Sequence, residues 1–129
     1  MLVTSIIPYF SYFLAIQKCH HDSNYTIHGL WIDFERGGYP QFCNKTVFNV
    51  NELNDIRQDL DSFWPGCYGN SEGLWKHEWE KHGTCFDKHM TLQHYFKQTL
   101  NIYKNRINDV NSCTKKECLI PVEFIEINL

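Results

Sequence analysis

Residues 74–85 read Leu74-Trp75-Lys76-His77-Glu78-Trp79-Glu80-Lys81-His82-Gly83-Thr84-Cys85, and the rest of the chain is organised around this stretch. Two histidines, two glutamates, two lysines and two tryptophans come before the closing Gly83-Thr84-Cys85. On a helix Glu78 and His82 lie four apart and share a face, as do His77 and Lys81. His77 and His82 are about 140° apart round the axis, so they can flank a common pocket without sharing a row. Gly83 supplies a helix stop, and Cys85 a staple to another part of the fold. A plain amphipathic helix, with Trp75 and Trp79 in the core and a solvated charged face, would explain the same residues without any chemistry. A second segment weighs against that plainer account.

That segment is Tyr25-Thr26-Ile27-His28-Gly29-Leu30-Trp31, a strand-like run with a histidine just before a glycine. One histidine beside a glycine is more often structural than catalytic, but two such specific histidine segments in one chain are a different matter. Together they resemble the two active-site segments of the ribonuclease T2 family, the acid endoribonucleases that include the S-glycoprotein ribonucleases. The family patterns are approximately I-H-G-L-W-P and H-E-W-x-K-H-G-T-C. The second is matched in full at His77–Cys85; the first departs at its end, where Ile32 stands for the usual proline. The likeness continues through Trp64-Pro65, the Tyr95-Phe96 region and Cys113–Ile127, and so covers most of the chain. The chain is shorter than a typical family domain, with the difference placed after Arg106.

The 129 residues fit one domain, and a 43% hydrophobic, 16% aromatic composition is ample for a core. Six cysteines in so short a chain favour an oxidising compartment. The sequons Asn24-Tyr25-Thr26 and Asn44-Lys45-Thr46 fit secretory passage, so a secreted or lumenal location is expected. A formal charge of −3 excludes a generic basic nucleic-acid binder. Protonating all seven histidines in mild acid would carry that charge to +4, favouring a polyanionic substrate as pH falls. Met1–Gln17 lacks the basic start and small-residue cleavage site of a secretion signal, and is too short and interrupted for a transmembrane span. Ser11–Gln17 instead resembles the family's first core strand, with a signal remnant ahead of it as the lesser alternative.

Further along, His20 and His21 read as part of a polar loop, and Gly37-Gly38-Tyr39-Pro40 as another. Asn49 or Asn51 is expected to cap a helix running to about Phe63, stopped by Trp64-Pro65-Gly66. Asn70 or Ser71 would cap the helix of the main motif. Thr91 would cap one with Leu92, Tyr95, Phe96, Leu100 and Tyr103 inward. His89 and His94 are read as surface or packing residues, and Val122–Leu129 as a final strand. The fold implied is α+β: an antiparallel sheet supporting the His28 strand, with the His77–His82 helix packed against it, all as a single domain over residues 1–129. By resemblance Cys43 pairs with Cys85; Cys113 with Cys118 and Cys19 with Cys67 are the pairings left over.

RNA carries its own nucleophile, the 2′-hydroxyl, so cleavage needs only a base, an acid and positive charge at the phosphorus. Histidine suits both proton roles in mild acid. The resemblance implies His82 as base, His28 as acid, His77 at the phosphate, and Glu78 and Lys81 as orienting and stabilising groups; the reverse acid/base assignment stays open. Trp31 reads either as a base-stacking platform or as core, and Trp79 as core. The expected partner is single-stranded RNA, with no cofactor, metal, obligate protein partner or membrane insertion, and a monomeric state. A zinc hydrolase would want H-E-x-x-H, and this chain has one residue more between its histidines. The rival from another class is a secreted binding protein that kept the scaffold without the activity.

Overall fold

Two apolar, aromatic-rich segments, Phe10–Lys18 (β1) and Tyr25–Phe34 (β2), pair antiparallel around the polar turn that contains His20 and His21. The computed structural model describes residues 10–128. The stretch ahead of β1, and with it the alternative of a signal remnant, lies outside them, as does Leu129. Glu117–Val122 (β3) adds to the other side of β1, also antiparallel, giving the order β2-β1-β3. One face of this sheet meets the helices: Leu14, Ile16, Ile27, Leu30 and Ile120 pack with Leu60, Trp64, Trp75, Trp79, Tyr95 and Phe96. The protein is therefore α+β with an antiparallel sheet.

The helices begin where short polar side chains can cap them. Asn49 accepts from the Asn51 amide and opens a 3₁₀ turn, Val50–Ile56, which runs into Arg57–Phe63 (α1). Asn70 accepts from the Gly73 amide at the start of Ser71–Lys81 (α2), and Thr91 from the His94 amide at Leu92–Asn105 (α3). The inward residues of α3 are those its spacing indicates, with Leu92, Tyr95, Phe96, Leu100 and Tyr103 all buried. A short Ile107–Asn111 (α4) follows.

The expected strand over Val122–Leu129 is corrected. β3 ends at Val122, and Phe124–Ile127 forms a single helical turn (α5). Glu123 and Glu126 make a reciprocal capping box there, and Arg106 clamps Glu126 with hydrogen bonds of 3.1 and 3.0 Å. Those charged contacts outweigh the strand-like alternation, burying Ile127 and leaving Phe124 and Ile125 exposed.

β2 is an edge strand, and its free backbone is occupied by side chains from the helical layer. The Trp64 indole donates to the His28 carbonyl (3.0 Å), the Tyr95 hydroxyl to the Leu30 carbonyl (3.0 Å), and the Tyr103 hydroxyl to the Tyr25 carbonyl (2.5 Å). Burying these three aromatics thus does two things: it supplies apolar area to the core and fixes the path of the strand that carries His28.

Disulfides join Cys19 to Cys67, Cys43 to Cys85 and Cys113 to Cys118. The second closes a separation of 42 residues and ties the loop after β2 to the 3₁₀ turn, Gly83–Cys85, that follows α2. Cys43→Ala is expected to cost about 3 kcal/mol, seen as a fall of roughly 10 °C in Tm. An unchanged Tm would mean that this bond contributes nothing to the folded state.

Candidate active site

A bulge in β2 creates the site. Ala15 pairs with Gly29 and Ile16 with Ile27, so His28 is an extra residue with no partner on β1. Ahead of it Tyr25 and Ile27 are buried; beyond it Leu30 and Ile32 are, so the inward set changes parity. His28, Trp31 and Asp33 therefore line the same cleft, which a regular period of two would forbid for His28 and Trp31. Helix α2 brings His77, Glu78 and Lys81 to this cleft, and His82 follows at its C-cap. The opening is about 270 Å³ and also receives Tyr39 and Leu119.

Glu78 sits at its centre, 1% exposed. The Trp31 indole donates to Glu78 Oε1 at 2.7 Å. His28 Nε2 lies 3.7 Å from Glu78 Oε2, and His82 Nε2 lies 3.9 Å from Glu78 Oε1. The carboxyl is thus flanked by the two imidazoles. Trp31 stacks on His82 with ring centres 5.0 Å apart and meets His28 edge-on at 5.0 Å, so it is half-buried in the wall of the cleft rather than lost in the core. Gly29 makes this approach possible: a side-chain carbon there would overlap Glu78 Oε1 and lie 2.5 Å from Trp31 Nε1.

The loop after β2 folds over the cleft rim. Gly37 and Gly38 turn it with φ of +100° and +78°, and Phe42 holds φ of +50°, a region most side chains avoid. The Phe42 amide donates to the Lys81 carbonyl (3.0 Å), the Cys43 amide to Thr84 Oγ1 (3.2 Å), and the Cys43–Cys85 bond completes the anchor. These fixings hold the ring of Phe42 against His77 at 6.4 Å, while Tyr39 lies 5.4 Å below the Lys81 ammonium.

The family model for the ribonuclease T2 family matches residues 10–124. The chain belongs to the ribonuclease T2 family. It is 37% identical over 97 residues to ribonuclease 3 of Arabidopsis thaliana, a match covering 71% of this chain and 43% of that one. With human ribonuclease T2 it shares 37% identity over 106 residues, covering 76% of this chain and 39% of the relative. The crystal structure of human RNase T2 superposes with a TM-score of 0.62 at 28% identity, over 74% of this chain and 56% of that chain. The structure of RNase NT gives 0.65 at 27% identity, over 79% of this chain and 60% of that one. This chain therefore spans about two fifths of the length of the curated T2 relatives it matches.

Burial sets the electrostatics of this T2 cleft. Desolvation raises Glu78 from its ordinary 4.5 to about 7, against the opposing pull of the Trp31 hydrogen bond and the Lys81 charge. It lowers His82 from 6.5 to about 3, helped by Lys81, His77 and His28. His28 is also lowered by burial, but Glu117 opposes the shift through an approach of 3.5 Å to Nδ1. His82 Nδ1 is buried without a hydrogen-bond partner, so the imidazole has no local support for a second proton.

These shifts oppose each other in stability. Glu78, with a raised folded value, favours the fold below pH 4.5 and loses that contribution as pH rises through about 7. His82, with a depressed value, contributes above pH 6.5 and loses it as pH falls through about 3. Between 4.5 and 6.5 the two slopes cancel, so this pair adds a plateau in that window. Glu78→Gln should turn the plateau into a slope of roughly 1.4 kcal/mol per pH unit, rising with pH. Urea denaturation at half-unit steps measures it; a variant as flat as the parent would deny the cancellation.

All six residues singled out for the site, His28, Trp31, His77, Glu78, Lys81 and His82, line one cleft. Sequence reading did not single out Asp33, Tyr39, Phe42, Glu117 or Leu119. Asp33 had a signal, two residues beyond Trp31 on the same strand. Glu117 had none, because only β3 pairing beside β1 brings it to His28. His94 packs through a 3.0 Å contact with the Ile127 carbonyl, and His89 is exposed. Among the described residues no three His, Cys, Asp or Glu side chains converge as a metal-ligand set. No helix among them is long and apolar enough to cross a membrane.

Proposed function

We propose that this chain cleaves single-stranded RNA by transphosphorylation without a metal, leaving a 2′,3′-cyclic phosphate and a free 5′-hydroxyl. The observation that carries this reading is the placement of His28 and His82 on either side of Glu78, with His77 and Lys81 on the same cleft wall. His82 enters the reaction neutral and accepts the 2′-hydroxyl proton; its depressed pKa supports that role. His28, more exposed and faced by Glu117, delivers a proton to the departing 5′-oxygen. An incoming phosphodiester brings negative charge that raises both imidazoles back toward a working pH. Lys81 and His77 balance charge on the pentacoordinate phosphorus, and Glu78 keeps the imidazoles and Trp31 in register. Trp31 and Tyr39, which both neighbour the His82 ring, offer aromatic surface for a base.

The disulfides support an oxidising compartment, hence a secreted or lumenal protein. One matched relative, from Solanum lycopersicum, is itself described as an extracellular ribonuclease. The test is digestion of single-stranded RNA by the purified protein at about pH 5 with EDTA, where ordinary histidine is mostly protonated. Cyclic-phosphate ends by mass spectrometry are the expected result. No cleavage by a folded protein would favour the inactive binding scaffold, and activity only without EDTA would revive a metal-dependent reading.

A further inference from the structure

A second opening, of about 460 Å³, lies at the turn end of the β1–β2 hairpin, away from Glu78. Lys18, His20 and His21 line one side of it and Lys115 and Lys116 the other. Of the nine lysines and arginines elsewhere, five (Arg57, Lys76, Lys97, Lys104 and Arg106) pair with a carboxylate. Among the described residues none of the three cleft lysines makes an ion pair; Lys18 instead lies 4.7 Å over the ring of Tyr25. The walls are fixed by backbone contacts, because the Tyr25 hydroxyl donates to the Lys115 carbonyl (2.6 Å) and the Lys18 amide to the Lys116 carbonyl (3.0 Å). In a chain of formal charge −3, three unpaired lysines around one cavity are a concentrated positive site, with the imidazoles of His20 and His21 beside them.

An aromatic stands beside it. Cys19 lines the cleft and is bonded to Cys67, with Cα atoms 5.0 Å apart. The next residue, Tyr68, is 98% exposed, leaving its ring free on both faces. Cations along a groove with an open aromatic ring are what single strands bind. The geometry also points toward the reacting centre: Tyr25 lines the basic cleft and His28 follows on the same strand, about 10 Å further on. Lys116 directly precedes Glu117, whose carboxylate meets His28.

We propose that this cleft is a second binding site for single-stranded RNA, holding backbone phosphates away from the scissile bond while Tyr68 stacks a base. The proposal rests on the RNA-cleaving reading, and the test separates the two. Uncleavable 2′-O-methyl oligonucleotides of three and twelve nucleotides are titrated by fluorescence anisotropy against the parent, Lys115→Ala/Lys116→Ala and Tyr68→Ala. The lysine pair should weaken the twelve-mer about tenfold and reduce its salt slope by about 1.4, at roughly 0.7 per phosphate contact on a single strand. Tyr68→Ala should cost about fivefold or more on the twelve-mer. Trimer binding and turnover of a dinucleotide should stay at parental values in both variants. Twelve-mer binding unchanged in the lysine pair, or lost equally for trimer and twelve-mer, would overturn the proposal. A parent that cleaves no RNA yet binds the twelve-mer through these lysines would overturn the cleavage reading and leave this one standing.

Discussion

His82→Ala is expected to lower kcat/KM for single-stranded RNA by at least about 100-fold, the lower range of what a positioned proton acceptor contributes. Folding should survive. His82 is 6% exposed and its Nδ1 has no partner, so alanine removes an unsatisfied buried polar atom along with some packing. His28→Ala should cause a similar loss on RNA, but the two variants part on a substrate with an easily expelled leaving group. A nucleoside 3′-aryl phosphate needs little help from an acid, so His28→Ala should regain much of the parental rate and His82→Ala should not. The opposite pattern would exchange the acid and base roles. Full activity in either variant would remove that histidine from the chemistry.

Gly29→Ala should be nearly as severe, although Gly29 contacts no substrate in this scheme. The added methyl would overlap Glu78 Oε1, and lie 2.5 Å from Trp31 Nε1 and 3.0 Å from Glu78 Cδ. Neither neighbour can retreat easily, since Glu78 is 1% exposed and bonded to the Trp31 indole. Overpacking of this kind costs about 1–3 kcal/mol. Moving Glu78 also displaces both imidazoles that flank it, and misplacement by about 1 Å can cost 100-fold in rate. The expected result is a lower Tm together with an approximately 100-fold loss of kcat/KM. A variant with parental activity would mean that the approach of β2 to Glu78 is not what organises the cleft.

The local order was largely readable from the chain. Asn49, Asn70 and Thr91 cap their elements as short polar residues do, and the apolar spacing of α3 matches its buried face. The terminal segment misled because Val122, Phe124 and the isoleucines after it alternate like a strand, whereas the turn is decided by Glu126 meeting Arg106, twenty residues earlier. Glu117 was invisible for the same reason: its importance comes from a strand pairing, not from a motif.

By itself the sequence determined which groups are present and which of them share a helix: His77, Glu78, Lys81 and His82 reach one side because a helix repeats every 3.6 residues. It also held the glycine that lets β2 come close to Glu78. Only the tertiary structure decided that His28 and Trp31 face the same cleft. Three residues apart on a strand they should point to opposite sides. The bulge at His28 reverses that, and it exists because of how β2 registers against β1 and because Trp64 holds the His28 carbonyl. The change of parity from Tyr25 and Ile27 to Leu30 and Ile32 is written in β2 itself, but only its pairing with β1 makes His28 the extra residue.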